Sequence, residues 1–251
     1  MISKDPFSLA GKYYLVTGAS SGIGYEVCRT IDDRGGNFIA TARREVELEK
    51  LLKECKNLGN KKIVADLLAD SDISKLNEGI DSIDGFVHCA GIVALSPAKY
   101  YTSDLMETIR KTNYDSAIKI LRLLLKGKKL KKGGSIVLVT SISASFGMNG
   151  NGIYAGSKGA LLAISKVWAN ELSPLKIRVN CVSPGMVRTE ITKKSVEDLS
   201  LETILKDEKK YPLGYGEVQQ VANPIIFLLS EASNWITGQN LIIDGGRTSI
   251  I

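Results

Sequence analysis

Short apolar runs alternate with longer amphipathic stretches along most of the chain. The runs are rich in β-branched residues and have the length of strands, whereas the stretches between them show helical spacing. Because each run is apolar on both faces, we expect a parallel sheet covered by helices on both sides. The predicted strands are 12–17, 37–42, 61–66, 83–90, 134–140, 176–182 and 240–244, and the predicted helices are 22–34, 44–58, 70–80, 103–130, 152–173 and 217–231.

This alternation predicts a single doubly wound α/β domain over residues 1–251, with about seven strands in a three-layer α/β/α arrangement. Right-handed crossovers in such a sheet place ligand sites at the carboxyl ends of the strands. One segment breaks the alternation, because residues 186–216 are polar and lack a clear strand. We predict that this segment is a lid over a ligand, with a surface excursion as the alternative.

A glycine-rich turn, TGASSGIG at 17–24, follows the first predicted strand. Its glycines allow unusual backbone angles and close approach, and the next helix offers free N–H groups to a phosphate. A glycine-rich turn alone is weak support, but after the first strand of an α/β chain it predicts a dinucleotide site. The expected contacts in this turn are Gly18, Ser20, Ser21, Gly22, Ile23 and Gly24.

The end of the second strand distinguishes the two nicotinamide cofactors. An NAD enzyme usually carries an acidic residue there to bind the ribose 2′-hydroxyl. This chain has Ala42 at that position, followed by Arg43 and Arg44. A guanidinium can bind a 2′-phosphate through charge-assisted bonds, so we predict NADP(H), with NAD less favoured. The alternative is that both arginines only solvate the next helix. A Rossmann-like methyltransferase would also need an acidic residue at the end of the second strand, so Ala42 followed by Arg43 disfavours that class.

Charge and composition exclude several other classes. The chain is 44% hydrophobic and 24% charged, with a net charge of +6. Its densest basic run, 126–134, contains no aromatic residue, and we predict a solvated helix end rather than a nucleic-acid surface. The first ten residues do not form a signal peptide, and no window approaches ~18 apolar residues, so no membrane span is expected.

The histidine and cysteine content argues against other kinds of site. His88 is the single histidine, which disfavours Ser-His-Asp hydrolysis and histidine-based metal sites, and no metal is expected. The four cysteines are far apart in sequence and predict reduced thiols in a cytoplasmic protein.

Tyr154 is the one tyrosine with a lysine, Lys158, four positions later. This spacing places both side chains on one face of a helix, and accidental neighbours would have the same spacing. A free tyrosine has a pKa near ~10, so it exchanges protons poorly at neutral pH. A nearby ammonium favours the phenolate and is expected to lower that pKa.

Several short motifs occur along this chain in the order and spacing of one known family. The chain resembles the short-chain dehydrogenase/reductase family over residues 8–247, especially the branch containing 3-oxoacyl-(acyl-carrier-protein) reductases. The matching residues are TGASSGIG at 17–24, Asp66, CAG at 89–91, Asn113, Ser141, Tyr154, Lys158, VSPGMVRT at 182–189 and DGG at 244–246.

The resemblance implies a Rossmann fold and a catalytic group of Asn113, Ser141, Tyr154 and Lys158. It implies that Asn113 holds a water near Lys158, that Lys158 bonds the nicotinamide ribose, and that Ser141 donates to the substrate oxygen. Ser143 and Ser145 compete for the last role, but the 13-residue separation from Tyr154 favours Ser141.

The resemblance also implies the remaining contacts with small molecules. For the cofactor these are Asp66, Leu67, Cys89, Ala90, Gly91, Tyr154, Lys158, Pro184, Gly185, Val187 and Thr189, besides the glycine turn and both arginines. For the substrate they are Ser141, Ser143, Tyr154 and Met186. The family usually has NNAG where this chain has His88-Cys89-Ala90-Gly91; we predict a structural role for His88.

The expected function is NADPH-dependent reduction of a small-molecule ketone to a secondary alcohol, with Tyr154 as proton donor. A 3-oxoacyl thioester is one expected substrate, and sugar, steroid or polyol carbonyls are alternatives. A nucleotide-binding sensor or scaffold without turnover is the second hypothesis, since fold alone does not fix function. The resemblance further implies a homotetramer, or a homodimer, and no nucleic-acid or membrane partner.

Overall fold

A seven-stranded, wholly parallel sheet forms the centre of the protein, in the order β3-β2-β1-β4-β5-β6-β7. The computed structural model describes residues 5–190, 192 and 200–249. The strands are β1 (Tyr13–Thr17), β2 (Asn37–Ala42), β3 (Lys61–Val64), β4 (Ile83–His88), β5 (Leu130–Val139), β6 (Arg178–Pro184) and β7 (Asn240–Ile243). The predicted doubly wound Rossmann fold is therefore confirmed.

Helices connect the strands and pack on both faces of the sheet. They are α1 (Gly22–Asp33), α2 (Glu45–Glu54), α3 (Asp70–Glu78), α4 (Ser103–Arg110), α5 (Ser116–Lys126), α6 (Gly152–Glu171), α7 (Leu201–Glu208) and α8 (Val218–Leu229). One π-helical segment, Lys111–Asp115, joins α4 to α5. Short 3₁₀ turns lie at Ala98–Tyr100, Ile142–Ala144, Ser173–Leu175 and Glu231–Ser233.

Two hydrophobic clusters cover the two faces of the sheet. Successive strand residues point to opposite faces, so Leu15 belongs to one cluster whereas Tyr14 and Val16 belong to the other. The first cluster continues into α3, α5 and α6, and the second into α1, α2 and α8. Helices on both sides explain why the strands are apolar at consecutive positions.

Two predicted boundaries differ from the structure around the basic run 126–134. The predicted helix 103–130 ends at Lys126 and is divided by the π-helical segment. Strand β5 begins at Leu130 rather than 134, because Leu130 pairs with Ile83 before a shift in register at Gly85. The basic run is thus a helix end followed by the start of a strand.

The predicted lid, 186–216, begins just beyond the carboxyl end of β6 and lies partly outside the described residues. Its ends are joined, since Gly216 N donates to Met186 O over 2.9 Å and Arg188 N donates to Gly216 O over 2.8 Å. Between them the structure shows α7, whereas residues 191 and 193–199 are not described. None of the helices in the described residues is long and apolar enough to cross a membrane.

Candidate active site

The glycine turn packs directly against the end of β4. Gly18 has a positive φ of 66°, and a Cβ there would lie 2.8 Å from Ala90 N. A Cβ on Gly24 would lie 2.4 Å from Gly18 O. Both contacts are too short for any side chain, so the turn can hold this shape only with glycine at the two positions.

The amino end of α1 is open toward the turn. Its N-cap residue, Ser21, makes no capping hydrogen bond with its side chain. The first-turn N–H groups are therefore left for another acceptor, and they carry the positive end of the helix dipole. Thr189 lies close by, with Cγ2 3.3 Å from a Cβ built on Gly22. This arrangement fits the pyrophosphate of a dinucleotide.

The two arginines after β2 have different surroundings. Arg44 donates from Nε to Ser20 Oγ and from Nη2 to Ser20 O, both over 3.2 Å, and forms an ion pair with Glu190 at 2.9 Å. Arg44 therefore braces the glycine turn. Arg43 is exposed and forms no hydrogen bond or ion pair within the described residues. Its guanidinium is free for a ligand anion.

Tyr154 and Lys158 lie in the first two turns of α6, as predicted. Lys158 is buried, and its Nζ donates to Val139 O over 2.8 Å at the end of β5. The same Nζ lies 5.8 Å from the centroid of the Tyr154 ring. A Cβ on Gly91 would lie 3.2 Å from Nζ, so the glycine leaves room for the ammonium. The pair is thus assembled at the carboxyl ends of β4 and β5.

Burial moves the pKa values of this pair toward their neutral forms. It raises the pKa of the Tyr154 phenol, which a hydrogen bond with Ser141 opposes. It lowers the pKa of Lys158 to about 8. We expected Lys158 to lower the pKa of Tyr154. Burial is the larger influence on Tyr154, because the ammonium is directed at Val139 O.

Ser141 lies at the carboxyl end of β5 and is held by its own loop. Its Oγ accepts from Ser143 N over 3.1 Å and donates to Ser143 Oγ over 3.2 Å. The Ser141 side chain also acts on the second predicted catalytic hydroxyl, because it lowers the pKa of Tyr154 against the effect of burial. Ser145, the competing serine, is exposed on the far side of the loop. The structure therefore brings together Ser141, Tyr154 and Lys158.

Asn113 is buried in the π-helical segment and reaches the same region by another route. Its Oδ1 accepts from Ile92 N over 2.8 Å, and its Nδ2 donates to Ile92 O and to Ser157 Oγ, both over 3.0 Å. The wider π-helical turn is a common feature of functional sites. In this chain the Asn113 side chain holds the backbone at Ile92, in the loop that follows β4. Its expected role in holding a water remains a prediction.

His88 is completely buried between β1 and the π-helical segment. Its Nε2 lies 3.3 Å from Asn113 O, and its Nδ1 lies 3.0 Å from Thr17 Oγ1. Because a carbonyl only accepts, Nε2 carries the proton and Nδ1 accepts from the threonine. Burial, and secondarily the charge of Lys158, lower the pKa of His88 to about 3. His88 is therefore a neutral structural link.

This burial predicts an acid-sensitive contribution to stability. In the unfolded chain His88 binds a proton below about pH 6.5, whereas the folded chain keeps it neutral until about pH 3. The free energy of unfolding should therefore fall as pH drops through this window, by up to about 1.4 kcal/mol per pH unit. We expect His88→Asn, or His88→Gln, to flatten the slope of urea-unfolding free energy between pH 7 and 5. An unchanged slope in both variants would contradict this role.

The other predicted contacts lie around the same edge of the sheet. Asp66 follows β3, and its Oδ1 accepts from Leu68 N over 3.0 Å. The Leu67 side chain packs in the hydrophobic core, so only its backbone faces a ligand. Gly185 N donates to Ile243 O over 2.9 Å, which ties the chain after Pro184 to β7. Of the remaining residues, Cys89 and Ala90 lie against the glycine turn, Val187 is buried and pairs with Gly216, and Met186 begins the predicted lid.

Asn151 is a site residue that sequence reasoning missed. It is buried, and its Nδ2 donates to Ser143 Oγ over 2.9 Å. Tyr101 approaches the same place, since its hydroxyl would lie only 2.2 Å from a Cβ on Gly152. Asn151 precedes Tyr154 by three residues, which is one helical turn. That spacing was available in the sequence.

Comparison with known proteins shows which proteins this chain is similar to. Residues 18–248 match the family model described as enoyl-(acyl carrier protein) reductase. The chain is 32% identical over 240 residues to L-xylulose reductase from Bos taurus, covering 95% of this chain and 97% of that protein. It is 32% identical over 246 residues to 3-oxoacyl-(acyl-carrier-protein) reductase from Thermotoga maritima, covering 95% and 98% of the two chains.

A solved structure is similar over the same extent. The short-chain type dehydrogenase/reductase from Mycobacterium marinum has a TM-score of 0.88 and 30% identity, covering 98% of this chain and 99% of that one. The family model and the relatives each cover most of the chain, which is sufficient to assign the family. The chain belongs to the short-chain dehydrogenase/reductase family, whose members use nicotinamide cofactors and act on CH–OH and C=O groups.

Proposed function

We propose that this protein is an NADPH-dependent reductase that converts a small-molecule ketone to a secondary alcohol. The observation that carries the proposal is that Ser141, Tyr154 and the buried ammonium of Lys158 lie together at the carboxyl ends of β4 and β5. A bound nicotinamide supplies the hydride. The chain must then stabilise negative charge on the substrate oxygen and deliver a proton to it.

The residues divide these tasks. Ser141 donates a hydrogen bond to the developing oxyanion, and Tyr154 supplies the proton. The raised pKa of Tyr154 keeps the phenol protonated at neutral pH, which suits a proton donor. Lys158 binds the ribose hydroxyls and stabilises the phenolate that proton delivery leaves behind. Asn113 maintains the turn on which this arrangement rests. A sensor without turnover would not need these groups together.

NADPH rather than NADH is favoured by the surroundings of β2. Ala42 leaves no carboxylate to bind a ribose 2′-hydroxyl, and Arg43 is free of protein partners among the described residues. Arg44 is committed to Ser20 and Glu190. A 2′-phosphate therefore meets one available guanidinium beside a braced turn, and charge-assisted hydrogen bonds to it contribute selectivity.

We propose that the substrate belongs to one of the carbonyl classes on which the relatives act, as their names state. L-xylulose reductase and 3-oxoacyl-(acyl-carrier-protein) reductase are equally similar in percentage identity. Steady-state NADPH oxidation with short ketoses, 3-oxoacyl thioesters, steroids and simple ketones tests the proposal. We expect turnover in at least one class and a lower Michaelis constant for NADPH than for NADH. If no substrate class is reduced although NADPH binds tightly, the sensor hypothesis is favoured. Equal use of NADH would reject the cofactor assignment.

The segment 186–216 is proposed to cover the substrate. Val187 is buried against the core, and Thr189 lies beside the glycine turn, so the segment leaves the sheet at the cofactor site. Its carboxyl end returns to the same point through the Val187–Gly216 bridge. The two ends of the span are therefore joined to each other near the glycine turn, as a covering segment requires.

We propose that the protein assembles as a homotetramer or homodimer in a reducing, cytoplasmic compartment. Leu241 and Ile242 of the edge strand β7 are 39% and 49% exposed, and Val167 of α6 is 51% exposed. Exposed apolar side chains at a sheet edge favour burial against a second copy. All four cysteines are free. Light scattering after size-exclusion chromatography measures the assembly, and a monomer would reject it.

The pKa of Lys158 predicts an alkaline limit to activity. Below about pH 8 the buried amine keeps its proton, and above it the charge that binds the ribose is lost. Because kcat/KM reports groups of the free enzyme, kcat/KM for NADPH should fall as pH rises through about 8. Lys158→Arg retains the charge and should move the fall to higher pH. A flat profile to pH 10 in the unaltered protein would contradict this assignment.

A further inference from the structure

Asn151 occupies the N-cap position of α6 but does not cap the helix. Asparagine is among the favoured N-cap residues, and its side chain usually accepts from the first-turn N–H groups. In this chain no such bond is present, and the amide is turned toward the Ser141 loop instead. Its Oδ1 is buried without a hydrogen-bond partner among the described residues.

Both features cost stability. A helix without its cap is less stable, and a buried polar atom without a partner loses the hydrogen bonds that water would give it. The residue is only 3% exposed, so the unpaired oxygen is not compensated by solvent. Unsatisfied groups of this kind are rare in folded proteins and concentrate at functional sites. The contact that Asn151 does make is therefore the place to look for its role.

That contact is shared with the proposed oxyanion donor. Asn151 Nδ2 and Ser141 Oγ both donate to Ser143 Oγ, over 2.9 and 3.2 Å. The Ser141 proton is thus directed at Ser143. Two donors on one hydroxyl oxygen compete, because each withdraws electron density from it and weakens the other bond. Ser143 N still fixes the position of Ser141 Oγ over 3.1 Å.

We propose that Asn151 is a positioning residue: by donating to Ser143 Oγ, it releases the Ser141 hydroxyl proton to the substrate oxygen. Ser143 can then rotate its own hydroxyl hydrogen toward Ser141, and the chain of donors runs from Asn151 through Ser143 and Ser141 to the substrate. This inference rests on the proposed ketone reduction, and it identifies residues that set the direction of the Ser141 proton.

The test is Asn151→Asp, which keeps the shape of the side chain. An ionised carboxylate only accepts, so it draws the Ser143 hydroxyl hydrogen to itself and leaves Ser143 Oγ as a stronger acceptor for the Ser141 proton. At pH 8 we expect kcat to fall roughly 10- to 100-fold, less than the 10²–10³-fold typical of deleting an oxyanion donor outright. KM for NADPH should be unchanged.

Two further measurements distinguish a positioning role of Asn151 from a general loss of the folded structure. A carboxylate buried at this position lowers thermal stability, so kcat is measured at a temperature at which near-ultraviolet circular dichroism shows both proteins to be folded. As pH falls and the carboxyl gains a donating proton, kcat relative to the unaltered protein should recover. A ratio independent of pH would overturn the proposal.

The pathway is tested by combining variants. Because Asn151 acts through Ser143, Asn151→Asp should add little to the loss already caused by Ser143→Ala, and full additivity would overturn the proposal. Ser145→Ala is the matched control, since Ser145 is exposed on the same loop and should retain activity. Full activity of Asn151→Asp would mean that the amide accepts from Ser143, and the donor chain would be rejected.

Failure of the proposed function gives a different result. Absence of turnover in the unaltered protein with every ketone rejects the reductase, whatever Asn151 does. The donor chain is then measured by ultraviolet titration of the Tyr154 phenol, identified by difference from Tyr154→Phe. Ser141 lowers this pKa, and Asn151→Asp draws the Ser141 proton toward Ser143 and away from Tyr154, so Asn151→Asp should raise it. An unchanged phenol pKa would reject the donor chain.

Discussion

Replacing Tyr154 with phenylalanine should remove ketone reduction while leaving NADPH binding within a fewfold. The change deletes one oxygen and keeps the ring, so the packing of α6 on the loop after β5 is preserved. The deleted hydroxyl is the proposed proton donor, and positioned general acids contribute roughly 10²–10⁴-fold to rate. We expect kcat to fall by that range in assays of NADPH oxidation, with the NADPH dissociation constant measured by fluorescence.

Tyr13→Phe is the matched control for this substitution. Tyr13 lies at the start of β1, where its hydroxyl contacts the turn at Gly59, at the opposite end of the sheet from the catalytic groups. Its loss should not change kcat. Retention of most turnover by Tyr154→Phe would reject the proton-donor role. A parallel loss of NADPH binding would mean that the residue acts on the cofactor rather than on the ketone.

Arg43→Ala should remove the preference for NADPH. A charge-assisted hydrogen bond to the 2′-phosphate contributes about 1.5–3 kcal/mol, so we expect kcat/KM for NADPH to fall roughly 10- to 160-fold. The value for NADH should be unchanged, because NADH has no phosphate at that position. The measurement is the ratio of the two specificity constants under identical conditions.

Arg44→Ala provides the contrast, because Arg44 braces Ser20 of the glycine turn. Its loss should weaken NADPH and NADH alike. Arg34 serves as the neutral control. It follows the carboxyl end of α1, away from the glycine turn, and its Nη1 lies 3.9 Å from Asp5 Oδ2. If Arg43→Ala lowered both specificity constants equally, Arg43 would support the turn and the phosphate assignment would be wrong.

The sheet was predictable from the sequence because its strands are buried on both faces. Strands such as β1 and β2 carry continuous apolar runs bounded by turn residues, and their limits agree with prediction to within one residue. The start of β5 was missed since Lys131 and Lys132 carry no apolar pattern. Pairing with β4, a tertiary contact, extends this strand beyond the pattern.

The site residues were predictable where their spacing along a single helix determines how close their side chains lie. Tyr154 and Lys158 are neighbours on any helix, whereas the pKa of Tyr154 depends on burial by residues distant in sequence. The π-helical turn around Asn113 has no sequence pattern of its own. Asn151 resembles an ordinary N-cap in the sequence, and only the fold shows that its amide serves Ser143 instead.

The most direct measurement follows the hydride itself. NADPH carrying deuterium at the transferred position is incubated with the best ketone of the panel, and the product is analysed by mass spectrometry. The account predicts a secondary alcohol that carries one deuterium on the carbinol carbon, formed by the unaltered protein and not by Tyr154→Phe. NADPH oxidation without deuterium in an alcohol product, or no product from any ketone, would contradict it.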